Sequence, residues 1–168
     1  DCNAGRYLHP EKTACLDCDV GQYQDQDAQS SCKECGTGKY NGQTKQTSES
    51  VACKECGAGK YNDRNSQEFE SVACKECSTG KYNEKIGQTD ESVACKECGT
   101  GKYNGQTGQM SESVACRDDC NAGSYINSDK SACLNCNKGQ YQDQDDQSNC
   151  KECGAGKYND RNNQKSES

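Results

Sequence analysis

The sequence predicts a small disulfide-rich tandem-repeat fold: an elongated rod of short two-stranded β ladders and loops, with essentially no helix and no shared core. Three observations carry that prediction. A cysteine pair returns every 21 residues, as Cys32-Lys-Glu-Cys35, Cys53-Lys-Glu-Cys56, Cys74-Lys-Glu-Cys77 and Cys95-Lys-Glu-Cys98. Apolar residues make up only 29% of the chain, and cysteine accounts for 17 of its 168 residues. Such a period marks an array in which each unit is expected to touch only its neighbours.

The apolar share lies far below the roughly 45–50% of ordinary globular domains. There is no Trp, one Phe (Phe69), one Met (Met110), and only Ile86 and Ile126 as isoleucines. Ordering a chain costs roughly 1–2 kcal/mol of backbone entropy per residue, which so few apolar side chains cannot repay through a common core. Cysteines at this density point to covalent staples and to an oxidising, extracellular or cell-surface compartment. No apolar stretch approaches the roughly 18 residues of a membrane span, and Asp1 opens no signal-peptide pattern, so the segment is expected to make no direct membrane contact. The net charge of −7 is spread as alternating Lys and Glu around each cysteine pair, which argues against nucleic acid as a partner.

Element by element, no helix period is evident, and Gly, Asn, Ser, Asp and Gln occur throughout. The strand candidates are Gly-Lys-Tyr-Asn and Ser-Val-Ala-Cys, each three to five residues long. Asn41-Gly42 and Asn104-Gly105 read as type I′ turns, although other copies carry Asn62-Asp63, Asn83-Glu84 or Asn159-Asp160 there. All nine tyrosines (Tyr7, Tyr23, Tyr40, Tyr61, Tyr82, Tyr103, Tyr125, Tyr141 and Tyr158) stand two residues after a glycine. They are expected to pack against the staple of their own module, with the hydroxyl left wet. The glycines before them are expected to supply a positive-φ turn or a close approach between modules.

The modules form a second level of repetition. Two short modules (1–34) and four long ones (35–118) make one super-repeat over 1–118, and 119–168 begins another. Asp1 aligns with Asp119, Tyr23 with Tyr141 and Ser50 with Ser168, and about two thirds of the aligned positions are identical. Earlier copies continue Ser48-Glu49-Ser50-Val51-Ala52-Cys53, so Ser166-Glu167-Ser168 reads as a cut in mid-module.

Three pairing schemes fit the cysteines. Each Cys before a Gly-x-Tyr element can bond the next across the loop, giving Cys2 with Cys15, Cys18 with Cys32, Cys35 with Cys53, Cys56 with Cys74, Cys77 with Cys95, Cys98 with Cys116, Cys120 with Cys133 and Cys136 with Cys150. Cys153 would then await a partner beyond the fragment. Alternatively each Cys-x-x-Cys closes on itself as a redox pair, or contributes half of a four-thiolate zinc site. Cys116-Arg-Asp-Asp-Cys120 bears on the choice: a linker between two disulfides tolerates an inserted residue, whereas redox and zinc pairs depend on their x-x spacing. The first scheme is favoured and the others stay open.

Catalytic chemistry and cofactors are not expected. His9 is the sole histidine, and its counterpart in the second super-repeat is Asn127. Asp25-Gln-Asp27 and Asp143-Gln-Asp145-Asp146 lack the ligand spacing of a calcium loop. No Asn-x-Ser/Thr sequon occurs, while Thr44, Thr47, Ser48, Ser50, Thr107, Ser111 and Ser113 are candidates for O-glycosylation.

Cys18-Asp-Val-Gly-Gln-Tyr23 and Cys35-Gly-Thr-Gly-Lys-Tyr40, recurring along the chain, resemble the cysteine-rich repeat of ephrin-receptor ectodomains. They are also similar to the first half of tumour necrosis factor receptor modules. The resemblance implies the across-loop pairing and modules stacked into an elongated ectodomain. Ligand-binding loops have no counterpart here, so only the cysteines, Gly and Tyr carry over. The expected function is structural: an extracellular fibre, stalk or surface appendage built by self-association, with the chain as its own partner and glycans as a further one. The alternative is a spacer in a cell-surface receptor or adhesin.

Overall fold

Each module folds where its Gly-x-Tyr element meets the two residues between the next cysteines. The computed structural model describes residues 1–11 and 13–168. They divide into two units, Asp1–Glu76 with Lys85–Ala94 and Cys77–Glu84 with Cys95–Ser168. In the first unit four antiparallel ladders pair Arg6–Leu8 with Cys15–Asp17, Gln22–Tyr23 with Lys33–Glu34, Lys39–Tyr40 with Lys54–Glu55, and Lys60–Tyr61 with Lys75–Glu76. The second unit holds three more: Lys81–Tyr82 with Lys96–Glu97, Ser124–Ile126 with Cys133–Asn135, and Gln140–Tyr141 with Lys151–Glu152. A single bridge joins Tyr103 to Arg117 where an eighth ladder would stand. Ladders this short are not stable alone, and each is closed by a disulfide.

The structure places those disulfides at Cys2–Cys15, Cys18–Cys32, Cys35–Cys53, Cys56–Cys74, Cys77–Cys95, Cys98–Cys116, Cys120–Cys133 and Cys136–Cys150. Cys153 is a free, half-buried thiol. The Cα atoms of every pair lie 5.4–5.8 Å apart, within the ordinary span of a disulfide.

Two local expectations are corrected. Ser-Val-Ala-Cys does not form a strand: Glu49–Ala52, Glu70–Ala73, Glu91–Ala94 and Glu112–Ala115 are single helical turns. The reason lies in burial. Consecutive Ala52 and Cys53 are both inside, at 2% and 6% exposure, whereas a strand would send them to opposite faces. A helical turn closed by Cys53 N–H donating to Glu49 O (2.8 Å) buries both and leaves Val51 outside. In five of the seven ladders the second strand is therefore the Lys-Glu pair between the cysteines, and in the other two it is Cys15–Asp17 and Cys133–Asn135.

Nor do Asn41-Gly42 and Asn104-Gly105 form type I′ turns, which need positive φ at both residues; none of the four has it. Asn41 is buried instead. Its Oδ1 accepts the Gln43 N–H, and its Nδ2 donates to Gln43 O and to Gln22 O of the preceding module, each at 2.9 Å. The left-handed residue falls four positions after the asparagine, at Lys45, Ser66, Gly87 and Gly108, with φ of 52–65°.

Two copies supply glycine there and others do not, which yields a first prediction. Ser66 holds φ 52° and buries a hydroxyl that has no hydrogen-bond partner. Replacing Ser66 with glycine removes both penalties and is expected to stabilise the chain by about 1–2 kcal/mol. Denaturant unfolding of the variant beside the parent checks this; an unchanged or lower midpoint would refute it.

Candidate functional site

The feature built by every module is its contact with the next, and the junction between module Cys35–Cys53 and module Cys56–Cys74 shows the parts. Gly38 N–H donates to Asn62 O (2.8 Å), Asn41 N–H to Gln67 O (2.9 Å) and Ser66 N–H back to Cys35 O (3.0 Å). Asn62, 1% exposed, extends its Nδ2 to Lys39 O at 2.7 Å. Backbone polar groups that a loop would otherwise leave unpaired are thereby satisfied between modules. The same bonds recur: Asn62 N–H to Gln88 O and Gly87 N–H to Cys56 O in the first unit, Asn83 N–H to Gln109 O and Gly108 N–H to Cys77 O in the second.

Tyrosine completes the junction, in a different place from the one expected. Tyr40 packs on Cys56, Ala73 and Cys74, the staple and helical turn of the following module. Tyr23 does the same on Cys35, Ala52 and Cys53, and Tyr82 on Cys98, Ala115 and Cys116. A module's own disulfide lies beneath the ring of its predecessor, because the ladder turns each tyrosine towards the next module's helical turn. Tyr23, Tyr61 and Tyr82 are buried; Tyr7, Tyr40, Tyr103, Tyr125 and Tyr141 are half-buried; Tyr158 is 68% exposed. Five of the hydroxyls meet an acid of the next module: Tyr23 with Glu49 (3.3 Å), Tyr40 with Glu70 (3.4 Å), Tyr61 with Glu91 (3.2 Å), Tyr82 with Glu112 (3.2 Å) and Tyr103 with Asp119 (2.8 Å). Glu49 and Glu70 also accept ion pairs from Lys39 (2.7 Å) and Lys60 (2.9 Å) of their own modules.

The glycines extend contact one module further. A Cβ on Gly38, whose φ is +79°, would lie 2.3 Å from Gly87 O, two modules along; on Gly80 it would lie 2.1 Å from Asp129 O. Modules therefore touch their second neighbours as well as their first, contrary to the nearest-neighbour expectation. Loops of this length fold back over the ladder and reach that far.

The acidic clusters and His9 singled out in the sequence have structural partners. Asp25 pairs with Lys33 at 2.6 Å, Asp27 accepts Ala4 N–H at 2.7 Å, and Asp145 and Asp146 accept Ala122 and Cys120 N–H at 2.7 and 3.0 Å. His9 accepts the Glu11 N–H at 3.2 Å within an exposed loop. Ser48, Ser50, Ser111 and Ser113 flank or sit in the helical turns, with Ser50 and Ser113 exposed. The buried asparagine and the Ala-Cys platform were missed in the sequence; the invariance of Tyr-Asn in all the long modules was the available signal.

The family described as Tyrosine-protein kinase ephrin type A/B receptor-like matches residues 5–50 and 123–168, together more than half of the chain. The chain belongs to this family. No curated protein matches it. Membership and eight disulfides together identify an extracellular, receptor-type repeat region. Among the described residues no helix is long and apolar enough to cross a membrane.

The electrostatics of the ephrin-receptor-like junction predict its pH response. Burial, reinforced by the facing glutamate, pushes the Tyr23, Tyr40, Tyr61 and Tyr82 hydroxyls above their ordinary value; at Tyr103 the hydrogen bond to Asp119 leads. A group whose pKa rises on folding stabilises the fold below its unfolded pKa, about 10 for tyrosine, and loses that contribution as pH climbs through the folded value. Stability is therefore expected to hold across neutral pH and to fall cooperatively in the alkaline range. Phenolate absorbance and near-ultraviolet circular dichroism should change together; phenolate appearing well before structure is lost would contradict it. Hydrogen bonds from Lys39 and Lys60 hold the Glu49 and Glu70 carboxyls below the usual range, so their contribution persists above about pH 4.3 and fades as pH falls through the lowered values.

Proposed function

We propose that this chain is a structural extracellular repeat protein whose modules extend a fibre, stalk or surface appendage, and that copies associate with one another to build it. One observation carries the reading. The residues shared by the modules are consumed in joining module to module: cysteine to the staple, glycine to the close approach, tyrosine and asparagine to the junction. Repetition of such a cassette adds length and stiffness. The module is non-catalytic in this reading, and O-linked glycans on exposed residues such as Ser50 and Ser113 would coat it.

Membership of the ephrin-receptor-like family favours a second reading, in which the repeats are a spacer holding a receptor or adhesin domain away from the cell. Electron microscopy of the native material separates the two. Filaments whose axial period matches one 118-residue block support self-assembly; dispersed single particles carrying a distinct terminal domain support the spacer.

A further inference from the structure

The stack changes its construction in the three modules between Cys98 and Cys150. Cys116-Arg-Asp-Asp-Cys120 carries one residue more than the other cysteine pairs. The ladder there is reduced to the Tyr103–Arg117 bridge. A Cβ on Gly101 would find its nearest neighbour, Asp146 Cβ, at 3.4 Å, whereas Gly38, Gly80 and Gly123 would find main chain or side chain at 2.1–2.4 Å. The modules are splayed at this point, and a cavity of about 260 Å³ opens between them.

Its walls are chemically mixed. Ile126, 4% exposed, is the apolar member of the lining, and Lys102, Ser128 and Asp146 bring polar groups to it. In the same register Lys39, Lys60 and Lys157 are each paired with the glutamate ten residues on. Among the described residues Lys102 makes no ion pair: Glu112, its counterpart acid, accepts Tyr82 Oη as Glu49 and Glu70 accept Tyr23 and Tyr40, but without the lysine that those two also hold. Asp146 spends one carboxylate oxygen on Cys120 N–H, leaving the other uncommitted. Lys130 is occupied by Cys98 O (2.7 Å) and Glu97 (3.3 Å). Lys102, without an ion pair, Asp146, with one oxygen uncommitted, and Ile126 thus line one space, slightly smaller than the roughly 300 Å³ at which pockets for drug-sized ligands begin.

We propose that this cavity binds one neutral pyranose, such as the terminal sugar of a glycan. A sugar hydroxyl both donates and accepts, so one ring can meet Lys102 and Asp146 together, with its C–H face against Ile126. A ligand of either net charge would meet a like charge on one wall. The proposal holds whether the chain is a fibre or a spacer.

The test is a methyl-detected NMR titration of the whole chain with glucose, galactose, mannose and N-acetylglucosamine, using acetate and methylammonium as anionic and cationic controls. The expected result is a saturable shift of the Ile126 methyl with at least one sugar, at roughly millimolar affinity for so small a ligand, while the exposed Ile86 methyl stays still. Lys102→Ala and Asp146→Asn should each weaken it by about tenfold or more, the effect of removing one hydrogen bond to a charged group. No saturable shift with any of the four sugars, undiminished binding in both variants, or saturation by acetate or methylammonium in place of sugar would overturn the proposal.

Discussion

Replacing Gly38 with alanine is expected to destabilise the chain by about 2–5 kcal/mol, combining left-handed backbone strain with an overpacked contact. Gly38 holds φ +79°, and a methyl group there would lie 2.3 Å from Gly87 O, main chain that cannot rotate away. Relief requires moving Gly38 itself, which also carries the N–H donated to Asn62 O and the carbonyl that accepts Cys56 N–H at 2.9 Å. Both junction bonds weaken with it. Gly36 provides the control, because a Cβ there meets nothing within 4 Å and its φ is not positive. Gly36→Ala should be close to neutral or mildly stabilising. Denaturant unfolding and amide exchange on the two variants decide the matter. Equal stability would show that the second-neighbour contact does not hold the modules.

What could be read from the sequence follows from where each constraint is written. Cysteine spacing and low apolar content are properties of composition and period, so the disulfide-rich array of short ladders was legible. The helical turn at Glu49–Ala52 was not, because a single turn is too short for a 3.6-residue period to show. Asn41-Gly42 misled for a related reason. Asparagine favours tight turns through bonds to its own loop, and here it makes such a bond to Gln43 while also reaching Gln22 of another module. Tyr40 was read as packing on the staple of its own module and packs on that of the next, because the sequence does not say which staple a ring will meet. That depends on which way the ladder faces, and facing is set by the modules on either side. Contact between Gly38 and Gly87, 49 residues apart, is likewise invisible to a one-dimensional period. The residues themselves were conspicuous; their partners belong to three-dimensional stacking.

Removing one staple should therefore damage the module before it as well as its own. Cys56→Ala with Cys74→Ala opens a loop with a separation of 18, costing about 3 kcal/mol in the chain-entropy account. The pair also supplies the buried platform on which Tyr40 rests, together with Ala73. Tyr40 would lose that surface while its own Cys35–Cys53 bond stays intact. Amide exchange is expected to rise between residues 56 and 74 and also at Lys39–Tyr40, with the ladder partner Lys54–Glu55 following because Tyr40 pairs with Lys54. The Gly87 N–H, which donates to Cys56 O at 2.8 Å, should lose protection on the other side. Independent modules would confine the change to 56–74. Spread in both directions is the signature of a stack whose stability resides in its junctions, with each disulfide closing its own loop and serving as the floor for its predecessor's tyrosine.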